Sequence, residues 1–425
     1  MAHLSRAEVR TLCNLSNSVH DQISRLERLV QPSKVAQITE DTTRGIDLGQ
    51  SNSYNESIEG IRIELIGKLN AMERLLYEPE EYVKSLAQGS AHDLGTLRAI
   101  IKFKMAPAVP LHDSISIEEL SAKLQLGPEI LRRLAAYSST YGLFQFSTSQ
   151  KDRIMHTPFS AVLARGAYAE AAEWDVSIQP YSALMLYDAL AKFKNCNGPE
   201  EAPFKLAFDT EKNFYLWHRQ EKKWGECFRK GMESEQADKR LAPQNCLRAL
   251  DWRKLDGKTV VDLGGSTGHV AKLIAAAHPT IRFIVQDLPE TLAAVTPMPQ
   301  GSLITFQAHD FFDPQPTVAD AYFLRCILHN WDDHNCQRIL HALRPALRVG
   351  TLLLVSEIIE GHESLWFEKR LFSRRDMQML SFFGAHERDV TTYDTLVRST
   401  IPQFKYVGCK RPVGSSVGVM EWIYE

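Results

Sequence analysis

The sequence predicts an α/β protein in which a doubly wound parallel sheet follows a helical, winged-helix-like region. Three observations carry that expectation. From residue 258 onward, apolar strand-like runs alternate with amphipathic helical ones. Between residues 95 and 165, two helical stretches are followed by two short strand-like runs about a polar turn. Residues 404–425 read as two further strands about a Gly-Ser turn, which places an antiparallel strand at or near one edge of the sheet.

Bulk composition narrows the function classes. The chain has 425 residues, a net charge of −3 and 44% hydrophobic residues, ordinary for a globular protein and unsuited to an anionic partner. No nucleic-acid or membrane partner is expected, since no apolar run approaches the ~20 residues a bilayer requires. The N-terminal stretch lacks a secretory apolar core. Seven widely spaced cysteines with no CxxC pair suggest reduced thiols and a cytoplasmic setting.

Residues 5–30 carry Leu12, Leu15, Val19, Ile23, Leu26 and Val30 at helical spacing, followed by a polar linker-like stretch to about residue 60. We therefore divide the chain into a helix and linker (1–60), a winged-helix-like dimerisation domain (61–165), a helical substrate-pocket segment (166–250) and a Rossmann-like domain (251–425). In the second region, Ser116 and Glu119 form a capping-box pattern ahead of "IEELSAKL", and "EILRRLAAYSSTYGL" follows Gly127-Pro128. That second helix offers only Arg132 and Arg133 as basic groups, too few for a recognition helix, so its role is structural. The segment 166–250 is rich in aromatic and thioether side chains, among them Tyr181, Met185, Tyr187, Phe214, Trp217, Trp224, Phe228 and Met232. Singly these are core residues; as a set they suit a flat apolar substrate.

The first strand of the α/β region reads "VVDLGGSTGHVAKLI": an apolar run, Asp262, then Gly264, Gly265 and Gly268 leading into a helix. Glycines allow a ligand to approach the backbone, and the helix start presents free N–H groups. Asp287 ends the next strand, where an acid holds ribose hydroxyls. Asp310 ends the third, with Phe311 beside it for stacking. The turn departs from G-x-G-x-x-G, and the preceding Asp262 would repel a pyrophosphate while suiting an amino-bearing ligand. Nucleoside recognition without phosphate recognition points to S-adenosyl-L-methionine.

Residues 95–425 resemble the two-domain, S-adenosylmethionine-dependent small-molecule O-methyltransferases of the caffeic-acid type, particularly their fungal secondary-metabolism branch. The motifs that carry the resemblance are "DLGGSTG", "DLP", "HDFF", "LRCILHNWDD", "LLLVSEII", "RRDMQML" and "GAHERDVTTYDTL". It implies cofactor contacts at Gly264, Gly265, Asp287, Leu288, Asp310, Phe311 and Arg325, and a homodimer interlocked through the N-terminal helices. Ser266 stands where the family has a glycine, Arg325 where Lys is common and Asn330 where Asp is frequent.

Methyl transfer to oxygen needs a nucleophile, and "YFLRCILHNWDDH" supplies a candidate base in His329. The resemblance assigns Glu357 and Glu387 to flank it, making a catalytic set of His329, Glu357 and Glu387. A metal site built from Asp332, Asp333 and His334 is disfavoured, because consecutive residues at a helix start diverge; they read as capping acids. His309, His341, His362 and His386 read as surface or capping residues. Phe228, Met232, Asp376 and Met377 are the candidate substrate contacts, the last two because "RRDMQML" matches a pocket-lining helix of the family. The acceptor expected is a hydroxyl of an aromatic or polyketide-type small molecule. The alternative is a methyltransferase-like protein that binds the cofactor yet catalyses a pericyclic or dehydration step without moving methyl.

Overall fold

In the computed structural model, which describes residues 5–29, 52–293, 295, 298–360 and 366–425, β-branched and aromatic runs become strands where expected. Ten strands form among the described residues, numbered in chain order: β1 (Ile115–Ser116), β2 (Phe144–Phe146), β3 (Arg153–His156), β4 (Thr259–Leu263), β5 (Arg282–Asp287), β6 (Ile304–Ala308), β7 (Ala321–Arg325), β8 (Leu352–Ile358), β9 (Phe404–Lys410) and β10 (Val417–Tyr424). The last seven make one sheet of order β6-β5-β4-β7-β8-β10-β9. β4 to β8 are parallel to one another, while β10 runs antiparallel to both β8 and β9. The C-terminal hairpin thus forms one edge, as its Gly-Ser turn implied.

Both faces of this sheet are buried, which explains why its strands read as continuous apolar runs. Alternate residues go to opposite layers. Val261, Leu263, Tyr322, Leu324, Leu353 and Val355 pack with the helices Asp333–Ala342 and Val390–Thr400. Val260, Ala321, Phe323, Leu352 and Leu354 pack with the helix His269–Ala277. At about 1.5–3 kcal/mol per fully buried large apolar side chain, these two layers dominate the domain's stability.

The chain forms two units: residues 1–180, 218–234 and 365–367, and residues 181–217, 235–364 and 368–425. The first holds the three-stranded sheet β1-β3-β2 and the helices Ile117–Leu124 and Pro128–Thr140, a winged-helix arrangement. Its capping box is formed, with the Glu119 amide donating to Ser116 Oγ at 3.1 Å and the Ser116 amide to Glu119 Oε2 at 2.9 Å. Arg132 is committed to Asp152 at 2.6 Å and Glu129 at 2.9 Å, consistent with a structural helix. The expected pocket segment 166–250 is divided between the two units. An N-terminal helix spans Arg6–Leu29 and another Asn52–Leu76, so residues 52–60 of the expected linker are helical. The rest of that linker, and His362, lie outside the described residues. No described helix is long and apolar enough to cross a membrane.

Candidate active site

The second unit assembles its site at the C-terminal ends of the parallel strands, where α/β sheets bind ligands. After β4 the chain takes three left-handed residues, Gly264 (φ +67°), Ser266 (φ +53°) and Gly268 (φ +72°). The positive φ favours glycine at Gly264, and a Cβ there would also lie 2.6 Å from Ile327 Cδ1, the tip of a side chain that would have to shift. Gly265 packs on the strand's acid, since its Cβ would meet Asp262 Oδ2 at 2.5 Å.

Asp287 at the end of β5 ties this turn down. Its Oδ2 accepts from the Ser266 amide at 2.8 Å and its Oδ1 from the Leu288 amide at 2.8 Å. A carboxylate has about four acceptor positions, so two remain for ribose hydroxyls. Asp310 accepts from the Phe312 amide at 3.0 Å through Oδ1. Phe311, after β6, packs edge-on against Trp331 with ring centres 6.2 Å apart.

Asp262 is the polar group here with least local support. It is 2% exposed and its Oδ2 has no hydrogen-bond partner. Burial pushes its pKa up to about 7, against the Arg325 charge that lowers it. Arg325 at the end of β7 donates through Nη2 to the Leu241 carbonyl at 2.8 Å, and its Nε is buried and unpartnered. An orphaned carboxylate and an orphaned guanidinium N–H beside a glycine turn suit a ligand carrying both an amino and a carboxylate group. The residues present therefore fit S-adenosylmethionine.

His329 does not lie on β7. The strand stops at Arg325; Cys326 takes φ +52° and the chain turns into a 3₁₀ segment, Leu328–Asn330. That turn buries His329 to 7% exposure. Its Nδ1 lies 2.9 Å from Glu387 Oε1 and 3.8 Å from Glu357 Oε2. Glu357, at the end of β8, is wholly buried and holds the turn through Oε1, which accepts from the amides of Ile327 (3.0 Å) and Leu328 (2.8 Å). Burial alone would push the His329 pKa down, but the Glu387 and Glu357 carboxylates and the hydrogen bond to Glu387 outweigh it and raise it. Glu357 is raised, chiefly by burial.

Cys326, His329 and Glu357 bring three ligating atoms within 4.8 Å of one another. Glu357 Oε1 and His329 Nδ1 are already engaged, and burial pushes the Cys326 thiol up to about 12. The cluster reads as the buried charge network around His329. Asp332 caps the helix Asp333–Ala342, its Oδ1 accepting from the Asn335 amide at 3.0 Å, and Asp333 pairs with Arg388.

Of the substrate candidates, Asp376 is engaged by the Glu387 backbone: its Oδ1 accepts from the Glu387 amide at 2.9 Å. Met377 is 43% exposed. The helix Trp366–Phe383 does line a cavity of about 110 Å³, but through Leu371, Phe372 and Arg375, together with Ile358, Ile359 and Leu241. The rest of that lining is charged or polar, Asp238, Arg240, Glu360, Glu368, Arg411 and Ser416, and it includes neither Asp376 nor Met377. Phe228 packs on Trp174 and His218, ring centres 5.5 and 5.1 Å away. Phe228 and Met232 belong to the first unit, whereas His329 belongs to the second.

Tyr215 was missed by sequence reasoning. It stacks on Phe383 at 5.3 Å and 27°, and the pKa of its phenol is raised by burial and then by the charges of Cys326, Asp287 and Glu357. Nothing in "NFYLWHRQ" separates it from the core aromatics around it.

Comparison with known proteins identifies the family. The O-methyltransferase domain family matches residues 185–400. The O-methyltransferase FrzF of a Cladobotryum species is 31% identical, over 85% of this chain and 87% of its own. The 6-hydroxytryprostatin B O-methyltransferase of Aspergillus fumigatus is 31% identical, over 79% of this chain and 99% of its own. A solved structure described as a pericyclic reaction enzyme shares the fold, with TM-score 0.71, 21% identity, and coverage of 86% of this chain and 94% of that one. The chain belongs to the S-adenosylmethionine-dependent O-methyltransferase family, many of whose members act in fungal secondary metabolism.

Proposed function

We propose that this enzyme methylates a hydroxyl of an aromatic or polyketide-type small molecule, with His329 as general base held by Glu387 and Glu357. The observation that carries the reading is a buried imidazole whose Nδ1 meets a buried carboxylate at 2.9 Å. With Nδ1–H donating to Glu387, Nε2 is left as the acceptor for a substrate proton. A phenol of pKa near 10 is only about 0.1% ionised at pH 7, a handicap of roughly 4 kcal/mol. A positioned base typically recovers ~10²–10⁴ in rate. The imidazolium that results sits beside two carboxylates, which stabilise it as it forms.

Gly264, Gly265, Asp287, Leu288, Asp310, Phe311 and Arg325 are the residues that would hold the cofactor, with Asp262 facing its amino end. Bound S-adenosylmethionine supplies an electrophilic methyl on a sulfonium. The A. fumigatus relative, named for a hydroxylated substrate, supports a hydroxyl acceptor. We also assign a homodimer to the N-terminal helices, which expose Val9, Ile23, Leu69 and Leu76; a monomer in analytical ultracentrifugation would exclude it.

The test is S-adenosylhomocysteine formation with a panel of phenolic and polyketide acceptors. Turnover by the wild type that falls at least ~100-fold in His329→Ala supports the base. Acceptors transformed without consumption of the methyl donor would instead make this a rearrangement catalyst, the activity for which the fold neighbour is described.

A further inference from the structure

We propose that Arg388 is a positioning residue that locks the turn carrying His329 onto the segment carrying Glu387. The inference rests on the reading of His329 as the base and names what holds it in register. Arg388 is 1% exposed, among the largest fully buried side chains of the described residues. Its guanidinium is spent on both sides of the imidazole. Nη1 donates to the Leu328 carbonyl at 3.1 Å, and Nη2 donates to the Trp331 carbonyl at 2.9 Å. Nη1 also reaches the His386 carbonyl at 3.3 Å, while Nε and Nη2 meet Asp333 Oδ1 at 3.0 and 2.7 Å.

These bonds close a ring. Leu328 and Trp331 bracket His329; His329 Nδ1 pairs with Glu387; and Glu387 is covalently next to Arg388. The turn's other ties leave the Trp331 end to Arg388: Glu357 accepts from the Ile327 and Leu328 amides, and Asn330 Nδ2 donates to the Cys326 carbonyl at 3.1 Å. Within it, the Asn330 amide donates to the Ile327 carbonyl and the Trp331 amide to the Leu328 carbonyl, at 3.2 Å each, and the Cys336 thiol, a weak donor, reaches the Leu328 and Trp331 carbonyls at 3.2 and 3.4 Å. A planar fork with five N–H donors serves four acceptors in different directions; an ammonium on a flexible stem does not. The base of a site must be held to about 0.5 Å and 10–20°. The Asp376 carboxylate on the Glu387 amide and the Glu357 carboxylate on the Ile327 and Leu328 amides complete the frame from other elements.

The readout is the His329 imidazole in the full-length protein. Among 14 histidines labelled with ¹⁵N, His329 is the signal lost in His329→Gln. In the wild type it should show one tautomer, protonated at Nδ1. In Arg388→Lys it should become a mixture of tautomers, with S-adenosylhomocysteine affinity within ~3-fold of wild type. Turnover of an acceptor from the phenolic panel should fall at least ~10-fold in kcat with KM little changed. Arg388→Lys should cost nothing further in the His329→Ala background. A folded Arg388→Lys protein that keeps the single His329 tautomer overturns the proposal. Should that variant not fold, Asp333→Asn releases one partner of the guanidinium from a side chain 60% exposed. Partial tautomer mixing there supports the clamp, and an unchanged signal refutes it. Loss of the base reading looks different: His329→Ala would retain turnover, whatever Arg388→Lys does to the imidazole.

Discussion

The two halves of the site, both at the C-terminal ends of the same sheet, are built on opposite plans. The proposed cofactor half after β4, β5 and β6 uses backbone geometry, the partly exposed acids Asp287 and Asp310, and the buried Asp262. Asp287 and Asp310 are satisfied by amides one or two residues away or by the adjoining turn. The catalytic half after β7 and β8 uses buried charge, and its partners come from far along the chain. Glu357 accepts from amides 29 and 30 residues earlier, and Glu387 meets His329 across 58 residues. A partly exposed carboxylate with satisfied oxygens keeps acceptor positions open to a ligand. A fully buried one reshapes the pKa of whatever it touches. The proposed base and its glutamates are thus buried and far apart in sequence, while the proposed cofactor residues mix the partly exposed Asp287 and Asp310 with the buried Asp262.

Charge-neutral substitutions on the two halves should break activity in different ways, and this is the largest expected contrast. Glu387→Gln keeps the size but removes the charge that holds the Nδ1 tautomer and the forming imidazolium; kcat should fall by ~10–100-fold with cofactor KM nearly unchanged. Asp287→Asn loses one of the two acceptors that fix the Ser266 and Leu288 amides; cofactor KM should rise ~10-fold with kcat within ~3-fold. Steady-state kinetics with the cofactor varied would check both. Equal effects of both substitutions on kcat would mean that the halves are not separable.

A pH profile sharpens the same comparison with a smaller shift. His329 must be neutral to take a proton, and its pKa lies above the ordinary 6.5 because the two glutamates outweigh its burial. Turnover should therefore be lost as pH falls through a midpoint above 6.5, and Glu387→Gln should move that midpoint down. The linked stability has the opposite sense. A histidine whose folded pKa is raised stabilises the fold below its unfolded pKa, and that contribution disappears as pH rises through the folded value. Asp287→Asn should leave the kinetic midpoint where it is; a midpoint that moved would place Asp287 inside the buried charge network.

The plan of each half also decided how much of it could be read beforehand. The α/β alternation, the left-handed glycine turn and the acids ending β5 and β6 are local patterns, and "VVDLGGSTG", "VQDLP" and "AHDFF" display them within a few residues. His329 stood out at the polar end of "YFLRCILHNWDDH", but its partners Glu357 and Glu387 were legible only through family motifs, since no spacing rule joins residues 58 apart. Asp376 and Arg388 stand inside family motifs, yet their roles escaped, because serving a backbone amide or carbonyl leaves no periodic mark. Tyr215 and the division of 181–217 from 218–234 were hidden for another reason. An aromatic side chain carries the same apolar signal in a core as in a pocket.

The smallest expected effect tests the cofactor half on its own terms. Ser266 stands in the left-handed region at φ +53°, where a side chain costs about 1–2 kcal/mol, and the turn depends on its amide donating to Asp287 at 2.8 Å. Ser266→Gly keeps that amide and relieves the strain. It adds about 0.5–1 kcal/mol of chain entropy to be lost on folding. The difference should leave the variant more stable by ~0.5–1 kcal/mol, read as a higher urea midpoint at unchanged slope. Cofactor affinity should hold or tighten slightly, because the turn and both Asp287 bonds persist. A less stable Ser266→Gly would show that the serine hydroxyl contributes more than its backbone costs. The cofactor half would then, like the catalytic half, depend on a side chain.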